Sequence, residues 1–258
     1  MTSARDPLPD AGLLLVGHGS HFNAMSSAPV HEHARRLREC GGYAEVRVAF
    51  WKEEPALCRG LDAFDAERIV VVPVFMSSGY FVEEVIPREM RLDGPGCNDV
   101  DGKRVVYTDP VGSHPLLAEV IVERAAQAGG GGGCETLVVL GHGTPRSSHS
   151  EKNIYAQADR VNSLGVYPNV VTLFLDQEPN LQDVWRVTKS DRIVVVPLFV
   201  ADGWHVGETI PADLDLAGGE NRKAGRRLHF AAAVGTHPRV ANVIDALASE
   251  AAIRLQAR

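Results

Sequence analysis

Short apolar runs, many of them β-branched, alternate along the chain with stretches of helical periodicity. In the first half these runs lie near 12–16, 44–50, 68–74 and 104–107, and in the second half near 136–140, 169–175, 192–198 and 227–233. Strands that alternate with helices predict a parallel sheet covered by helices. Every run is far shorter than the roughly 20 apolar residues that a helix needs to cross a bilayer, so we expect no association with a membrane.

The chain contains this pattern twice. Residues 17–20 (Gly-His-Gly-Ser) return as 141–144 (Gly-His-Gly-Thr). Three further segments return in the same order, 50–55 as 174–179, 69–87 as 193–211, and 111–115 as 234–238. Five successive glycines at 129–133 separate the copies and suit a flexible connection. We therefore predict an N-terminal half at 1–128, a linker at 129–133 and a C-terminal half at 134–258.

The expected fold is an α/β protein of two duplicated halves. Each half should hold a mainly parallel four-stranded sheet flanked by helices, and the halves should face one another across a cleft. Ligands of open parallel sheets bind outside the carboxyl ends of the strands. The two Gly-His-Gly turns, Lys52, Asp176 and the loops at 76–86 and 200–210 all follow predicted strands. We therefore expect them along the same edge.

His142 and His205 are the side chains at that edge best suited to chemistry. Two imidazoles from neighbouring strand ends, with a carboxylate nearby, make a site for a borderline-soft divalent metal. Glu208 would share a face with His205 if a helix begins there. Asp176 follows a third strand and could add an oxygen ligand or orient a histidine. The alternatives are that His142 only occupies a tight turn and that the two acids are solvated or lie at a helix start.

The composition narrows the classes of partner. The formal net charge of −7 disfavours nonspecific binding to nucleic acid, which depends on basic side chains that neutralise phosphates. The four cysteines form no Cys-x-x-Cys pair, so neither a zinc knuckle nor a redox motif is indicated. Residues 1–10 lack the features of a signal peptide, and we therefore expect a cytoplasmic location.

The paired motifs resemble those of a known family. Gly-His-Gly-Ser/Thr after one strand, with Val-Val-Pro-Leu-Phe and Asp-Gly-x-His-Val-x-x-x-Ile-Pro around a later one, is similar to the class II tetrapyrrole chelatases. The long-form sirohydrochlorin cobaltochelatases and their ferrochelatase relatives match best. The resemblance implies two Rossmann-like halves around a cleft and a lyase-type metallochelatase. Such an enzyme inserts cobalt, iron or nickel into sirohydrochlorin in cobalamin or siroheme-type biosynthesis, without a nucleotide, and we expect a monomer with cobalt as its metal.

The resemblance also implies roles for single residues. His142 and His205 correspond to the paired metal-site histidines, and Asp176 stands where some members carry a glutamate. We predict His142, His205 and Asp176 as catalytic residues, and His142, His205 and Glu208 as metal ligands. The predicted contacts to the tetrapyrrole are Thr144, Arg146, Ser147, Ser148 and Trp204.

The first copy departs from this pattern. Phe81 occupies the position that matches His205, and Lys52 the position that matches Asp176. Because a phenyl ring cannot bind a metal and an ammonium repels one, we expect the site of the N-terminal half to be degenerate, although His18 is present. His114 and His237, which precede prolines in both copies, are interpreted as structural.

Two other functions fit part of the pattern. A phosphohydrolase with His142 as nucleophile would gather several arginines around phosphate, and Arg146 is the one nearby in the sequence. A non-catalytic tetrapyrrole- or metal-binding protein of the same fold is the stronger alternative, because two α/β lobes around a cleft also bind small ligands.

Overall fold

The computed structural model describes residues 8–129, 135–143 and 148–256, and within these ranges it contains two sheets of five strands each. The first sheet has the order β2-β1-β3-β5-β4 and consists of β1 (Leu8–Gly17), β2 (Tyr43–Phe50), β3 (Arg68–Pro73), β4 (Gly96–Val100) and β5 (Lys103–Tyr107). The second has the order β7-β6-β8-β10-β9 and consists of β6 (Glu135–Gly141), β7 (Asn169–Phe174), β8 (Arg192–Pro197), β9 (Glu220–Lys223) and β10 (Arg226–Phe230).

Helices follow the strands in both copies. In the described ranges they are α1 (Ala28–Cys40), α2 (Ile86–Met90), α3 (Leu117–Gln127), α4 (Ser148–Ser163), α5 (Val184–Val187), α6 (Ile210–Asp213) and α7 (Val240–Gln256). A π-helical turn precedes α2 at Phe81–Val85, and another precedes α6 at His205–Thr209. None of the helices in this part of the chain has the length and apolarity that a membrane span requires.

The central strands are buried on both faces. Residues 13–16 of β1 and 137–140 of β6 are completely buried, as are 70–72 of β3 and 194–196 of β8. Strands of a parallel sheet covered by helices on both sides have no solvent face, so their sequences are continuous apolar runs rather than alternating ones. This is why the short apolar runs in the sequence coincide with the central strands.

The predicted fold class is confirmed, with one correction to the sheets. The four strands expected in each half are present and pair in parallel, but β4 and β9 add a fifth, antiparallel strand at one edge. Each forms a hairpin whose turn has positive φ at both central residues, Asp101-Gly102 in one case and Ala224-Gly225 in the other. An Asp-Gly pair is a strong hairpin signal. The polar sequences of β4 and β9 lack the apolar pattern on which the prediction relied.

The compact units of the structure differ from the sequence repeats in where the last helix of each repeat lies. The first unit contains the chain up to His114 together with the segment from Pro238 onward, and the second unit contains Pro115–His237. Helix α3 packs against α4 and β8 in the second unit, whereas α7 packs against β3, β5 and α1 in the first. The predicted ranges 1–128 and 134–258 follow the repeat and therefore assign these two helices differently. Residues 130–133 of the predicted linker lie outside the described residues.

Candidate functional site

His142 lies in a tight turn directly after β6, between two glycines that have little room for a side chain. Gly141 pairs with Phe174 across the sheet, and a Cβ atom at Gly141 would come within 3.0 Å of the Phe174 ring. Gly143 has φ +78, where other residues are strained, and a Cβ there would lie 2.8 Å from Gln177 Cγ. The backbone N–H of Asp176 donates to the carbonyl of His142 at 3.0 Å, which brings Asp176 beside the turn.

The neighbours of His142 indicate which ring nitrogen carries the proton. Its Nδ1 lies 3.1 Å from Asp176 Oδ2 and 3.3 Å from the carbonyl oxygen of Gly143. Both partners are acceptors when the carboxyl is ionised, so Nδ1 is the protonated nitrogen of the neutral ring. The lone pair is then on Nε2, which is available to a metal ion or a proton. A carboxylate on the second nitrogen is the arrangement that orients metal-binding histidines in many proteins.

His205 completes a pair of imidazoles at this edge. It begins the π-helical turn after β8, and its ring centroid lies 5.1 Å from that of His142, with the planes at 90°. About half of the His142 and Asp176 side chains is exposed, at 52% and 54%. A metal ion or a ligand therefore reaches the pair from solvent. π-Helical turns occur frequently at functional sites.

The structure places His142 next to both His205 and Asp176, and Glu208 lies in the π-helical turn that His205 begins. A π-helical turn bonds i to i+5, so residues three apart are rotated further from one another than in an α-helix. The expectation that Glu208 shares a face with His205 assumed an α-helix, whereas the observed turn is π-helical, and Glu208 as a metal ligand stays a prediction. Within the described ranges, no three His, Cys, Asp or Glu side chains are close enough together to enclose a metal ion.

The predicted substrate contacts are only partly described. Thr144, Arg146 and Ser147 lie outside the described residues, and Ser148 begins α4. Trp204 immediately precedes the π-helical turn and is 65% exposed, and Tyr80 at the matching position of the first copy is 62% exposed. Both copies thus present an aromatic side chain to solvent beside the turn.

The corresponding place in the first unit is an aromatic cluster. The ring of His18 meets Phe81 edge-on at 4.7 Å and Trp51 at 5.3 Å, and Trp51 meets Phe81 at 4.9 Å. Lys52 Nζ lies 3.6 Å from the centre of the Trp51 ring. Phe81 thus occupies the place of the second imidazole, while Lys52 lies over Trp51. Sequence reasoning missed Trp51, although an aromatic residue directly after β2 was a visible signal.

The two remaining paired histidines are buried. His114 is 6% exposed, and its Nε2 lies 3.2 Å from Glu250 Oε1 on α7. His237 is 4% exposed, and its Nε2 lies 3.1 Å from Gln127 Nε2 and 3.7 Å from Glu123 Oε2, both on α3. Each histidine is therefore bonded to the helix that packs on its own unit, which agrees with the structural interpretation.

Comparison with known proteins identifies the family. A model of the CbiX family matches residues 12–128 and again residues 136–251. The chain belongs to the CbiX family. The two matches fall on the two sequence repeats and cover most of the chain, so the resemblance inferred from the motifs is confirmed. The probable sirohydrochlorin cobaltochelatase of Halobacterium salinarum is 42% identical to this CbiX-family chain, with 93% of this chain and 91% of that protein covered.

Solved structures share the fold. DR2241 from Deinococcus radiodurans, a multi-domain protein with structural similarity to chelatases, superposes with a TM-score of 0.82 at 30% identity, covering 93% of this chain and 55% of that one. This chain therefore spans about half the length of DR2241. The sirohydrochlorin chelatase SirB from Bacillus subtilis subspecies spizizenii, solved in complex with cobalt, superposes with a TM-score of 0.71 at 18% identity, covering 95% of this chain and 96% of that one. At that identity the likeness concerns the fold alone.

Proposed function

We propose that this protein is a chelatase that inserts a divalent metal ion, cobalt in the first place, into sirohydrochlorin. The observation that carries the proposal is the pair of imidazoles of His142 and His205, 5.1 Å apart, with Asp176 on Nδ1 of His142. The name of the 42% identical relative, a probable sirohydrochlorin cobaltochelatase, supports the substrate and the metal. Iron and nickel are the alternative metals, because imidazoles bind them as well.

The mechanism follows from what insertion requires. Two pyrrole N–H protons must leave the macrocycle while the metal exchanges its bound waters for ring nitrogens. In the proposed sequence His142 and His205 hold the metal weakly, since a site that bound the metal tightly would not release it to the ring. As the metal moves to the macrocycle, the Nε2 lone pair of His142 becomes free and accepts one of the two pyrrole protons, which is general base catalysis. The second proton leaves to solvent water, which reaches the half-exposed site. Asp176 stabilises the resulting imidazolium through Nδ1.

His142, His205 and Asp176 have different roles in the proposed mechanism. His142 and His205 contact the metal, and His142 also receives the proton. Asp176 acts through His142, so its removal should cost about 10–100-fold, as is usual for groups that orient a metal-binding histidine. Glu208 is left out of this proposed site, because a π-helical turn rotates it further from His205 than an α-helix would.

The test is a direct assay of insertion. The purified protein is mixed with sirohydrochlorin and cobalt(II), and the absorbance of the macrocycle is followed against the same mixture without protein. Multiple turnovers above the spontaneous rate, lost in His142→Ala and in His205→Ala, would support the enzyme. A stoichiometric spectral shift without turnover would instead support a non-catalytic tetrapyrrole-binding protein. Repeating the assay with iron(II) and nickel(II) ranks the metals.

A further inference from the structure

A carboxylate in the loop that leads from β8 to the π-helical turn binds the segment that follows β10. Asp202 precedes His205 by three residues, and its Oδ1 accepts a hydrogen bond of 2.6 Å from the backbone N–H of Ala233. The same loop approaches the next turn closely, because a Cβ atom at Gly235 would lie 2.2 Å from the carbonyl oxygen of Val200. The Asp202 side chain therefore links the loop that precedes His205 to the segment that follows β10.

Arg124 extends this tie to helix α3. Its Nη2 donates to Thr236 Oγ1 at 2.8 Å, and Thr236 Oγ1 in turn donates to the carbonyl of Ala233 at 2.8 Å. The carbonyl of Ala233 thus accepts a hydrogen bond from Thr236, and the N–H of Ala233 donates one to Asp202. Burial lowers the pKa of Arg124, and the negative charge of Asp202 opposes that effect.

The first unit lacks the charged parts of this network. Ser78 stands at the position of Asp202, and Leu247, which is buried, at the position of Arg124. Pro110 stands at the position of Ala233 and has no N–H to donate. The hydroxyl bond persists, since Ser113 Oγ donates to the carbonyl of Pro110 at 2.8 Å. This edge of the sheet therefore folds without the carboxylate and the guanidinium, which occur in the unit whose π-helical turn begins with histidine.

We infer that Asp202 and Arg124 are positioning residues that hold the His205 turn beside His142. The inference rests on the proposed function for its consequence in catalysis. Trp204 and His205 are exposed, so their side chains have few packing contacts that would fix their positions. A metal-binding histidine that loses the groups orienting it typically binds its metal about 10–100-fold more weakly. Because Arg124 belongs to the first sequence repeat, a helix of the first repeat would support the site of the second.

The sharpest test removes a single N–H. Ala233 has φ −57, which proline adopts without strain, and Pro110 already occupies this position in the other repeat. Ala233→Pro therefore deletes the donor to Asp202 and introduces a residue that the same turn accommodates elsewhere in the chain. Asp202→Ser and Arg124→Leu, which also copy the first unit, are companion variants. Pro110→Ala is the matched control.

Three quantities are measured on the full-length protein. They are the hydrogen exchange of the amides at 203–210, the affinity for cobalt(II) without tetrapyrrole, and the steady-state constants for insertion with cobalt(II) varied. We expect faster exchange in this segment, a cobalt(II) affinity and a KM for cobalt(II) weaker by about 10-fold, and kcat at saturating metal within about threefold of the parent. Pro110→Ala should resemble the parent in all three.

The outcomes separate the inference from the proposed function. Unchanged exchange at 203–210 in Ala233→Pro and Asp202→Ser would overturn the inference, and so would a uniform rise of exchange over the whole second unit with an unaltered KM. If the parent protein neither binds cobalt(II) nor inserts it, the proposed function fails, while the exchange measurement still decides whether Asp202 holds the turn. Faster exchange confined to residues 203–210 supports the role of Asp202 in holding the turn, whether or not the parent protein binds cobalt(II).

Discussion

His18 and His142 occupy the same Gly-His-Gly turn in the two repeats, so alanine at each position is a matched pair of perturbations. His142 lies 5.1 Å from the ring of His205 and 3.1 Å from Asp176, whereas His18 contacts Trp51 and Phe81. His142→Ala leaves one imidazole at the proposed metal site. We expect it to lower kcat/KM for cobalt insertion by more than about 100-fold, which corresponds to more than about 2.7 kcal/mol of transition-state stabilisation.

Stability should respond in the opposite order. His18→Ala removes two edge-on aromatic contacts, at 4.7 and 5.3 Å, and such contacts contribute about 0.5–1.5 kcal/mol each. We expect it to lower the free energy of unfolding by about 1–3 kcal/mol while changing kcat/KM by less than about threefold. His142→Ala removes one edge-on contact, at 5.1 Å to His205, from a half-exposed side chain, so we expect a smaller loss of about 0.5 kcal/mol.

The assay combines insertion kinetics with urea unfolding for both variants. Equal losses of kcat/KM would refute the assignment of the site to the second unit, and a larger loss in His18→Ala would place the site in the first. If His142→Ala lost activity only in proportion to a loss of folded protein, the role of His142 in chemistry would be refuted as well.

Three other changes test separate parts of the argument. Asp176→Asn should lower kcat/KM by about 10–100-fold, and an unaltered rate in the insertion assay would make Asp176 a surface acid. Phe81→His combined with Lys52→Asp should add a second cobalt(II) site, because the ring at 81 lies 4.7 Å from that of His18; titration should then give two metal ions per chain in place of one. Tyr107→Phe should destabilise the protein by about 1–2 kcal/mol in urea, since the buried hydroxyl donates to the carbonyl of Val82 at 2.7 Å, and no change in the urea midpoint would contradict this.

The architecture of the edge that carries the site could be predicted from the sequence. Buried parallel strands are continuous apolar runs, so the residue at which each strand ends can be predicted from the sequence. Residues that follow the strands meet at one edge of the sheet. The left-handed φ of Gly143 is a local feature of the turn that carries His142, whereas the Phe174 ring next to Gly141 belongs to the neighbouring strand. His142, His205 and Asp176 could be predicted together because each follows a strand whose carboxyl end lies at the same edge of the sheet.

Local irregularity was harder to predict. The π-helical turn at His205–Thr209 differs from an α-helix by one residue per hydrogen bond, and the apolar spacing of so short a segment does not distinguish the two. The placement of Glu208 therefore could not be settled from spacing. The edge strands β4 and β9 escaped prediction for a related reason, since a polar edge strand lacks the pattern of a buried one.

Only the tertiary structure decided which helix packs on which sheet. Every buried position of α3 has a buried counterpart in α7, with Leu117 matching Val240 and Ile121 matching Ile244. Two helices with equivalent apolar faces fit either sheet as far as hydrophobic pattern is concerned, and the choice depends on contacts between residues far apart in sequence. The bond of Arg124 to Thr236 exists because α3 lies in the second unit. The sequence by itself determined the duplicated sheets and the paired histidines, whereas long-range packing determined what holds His205 in place.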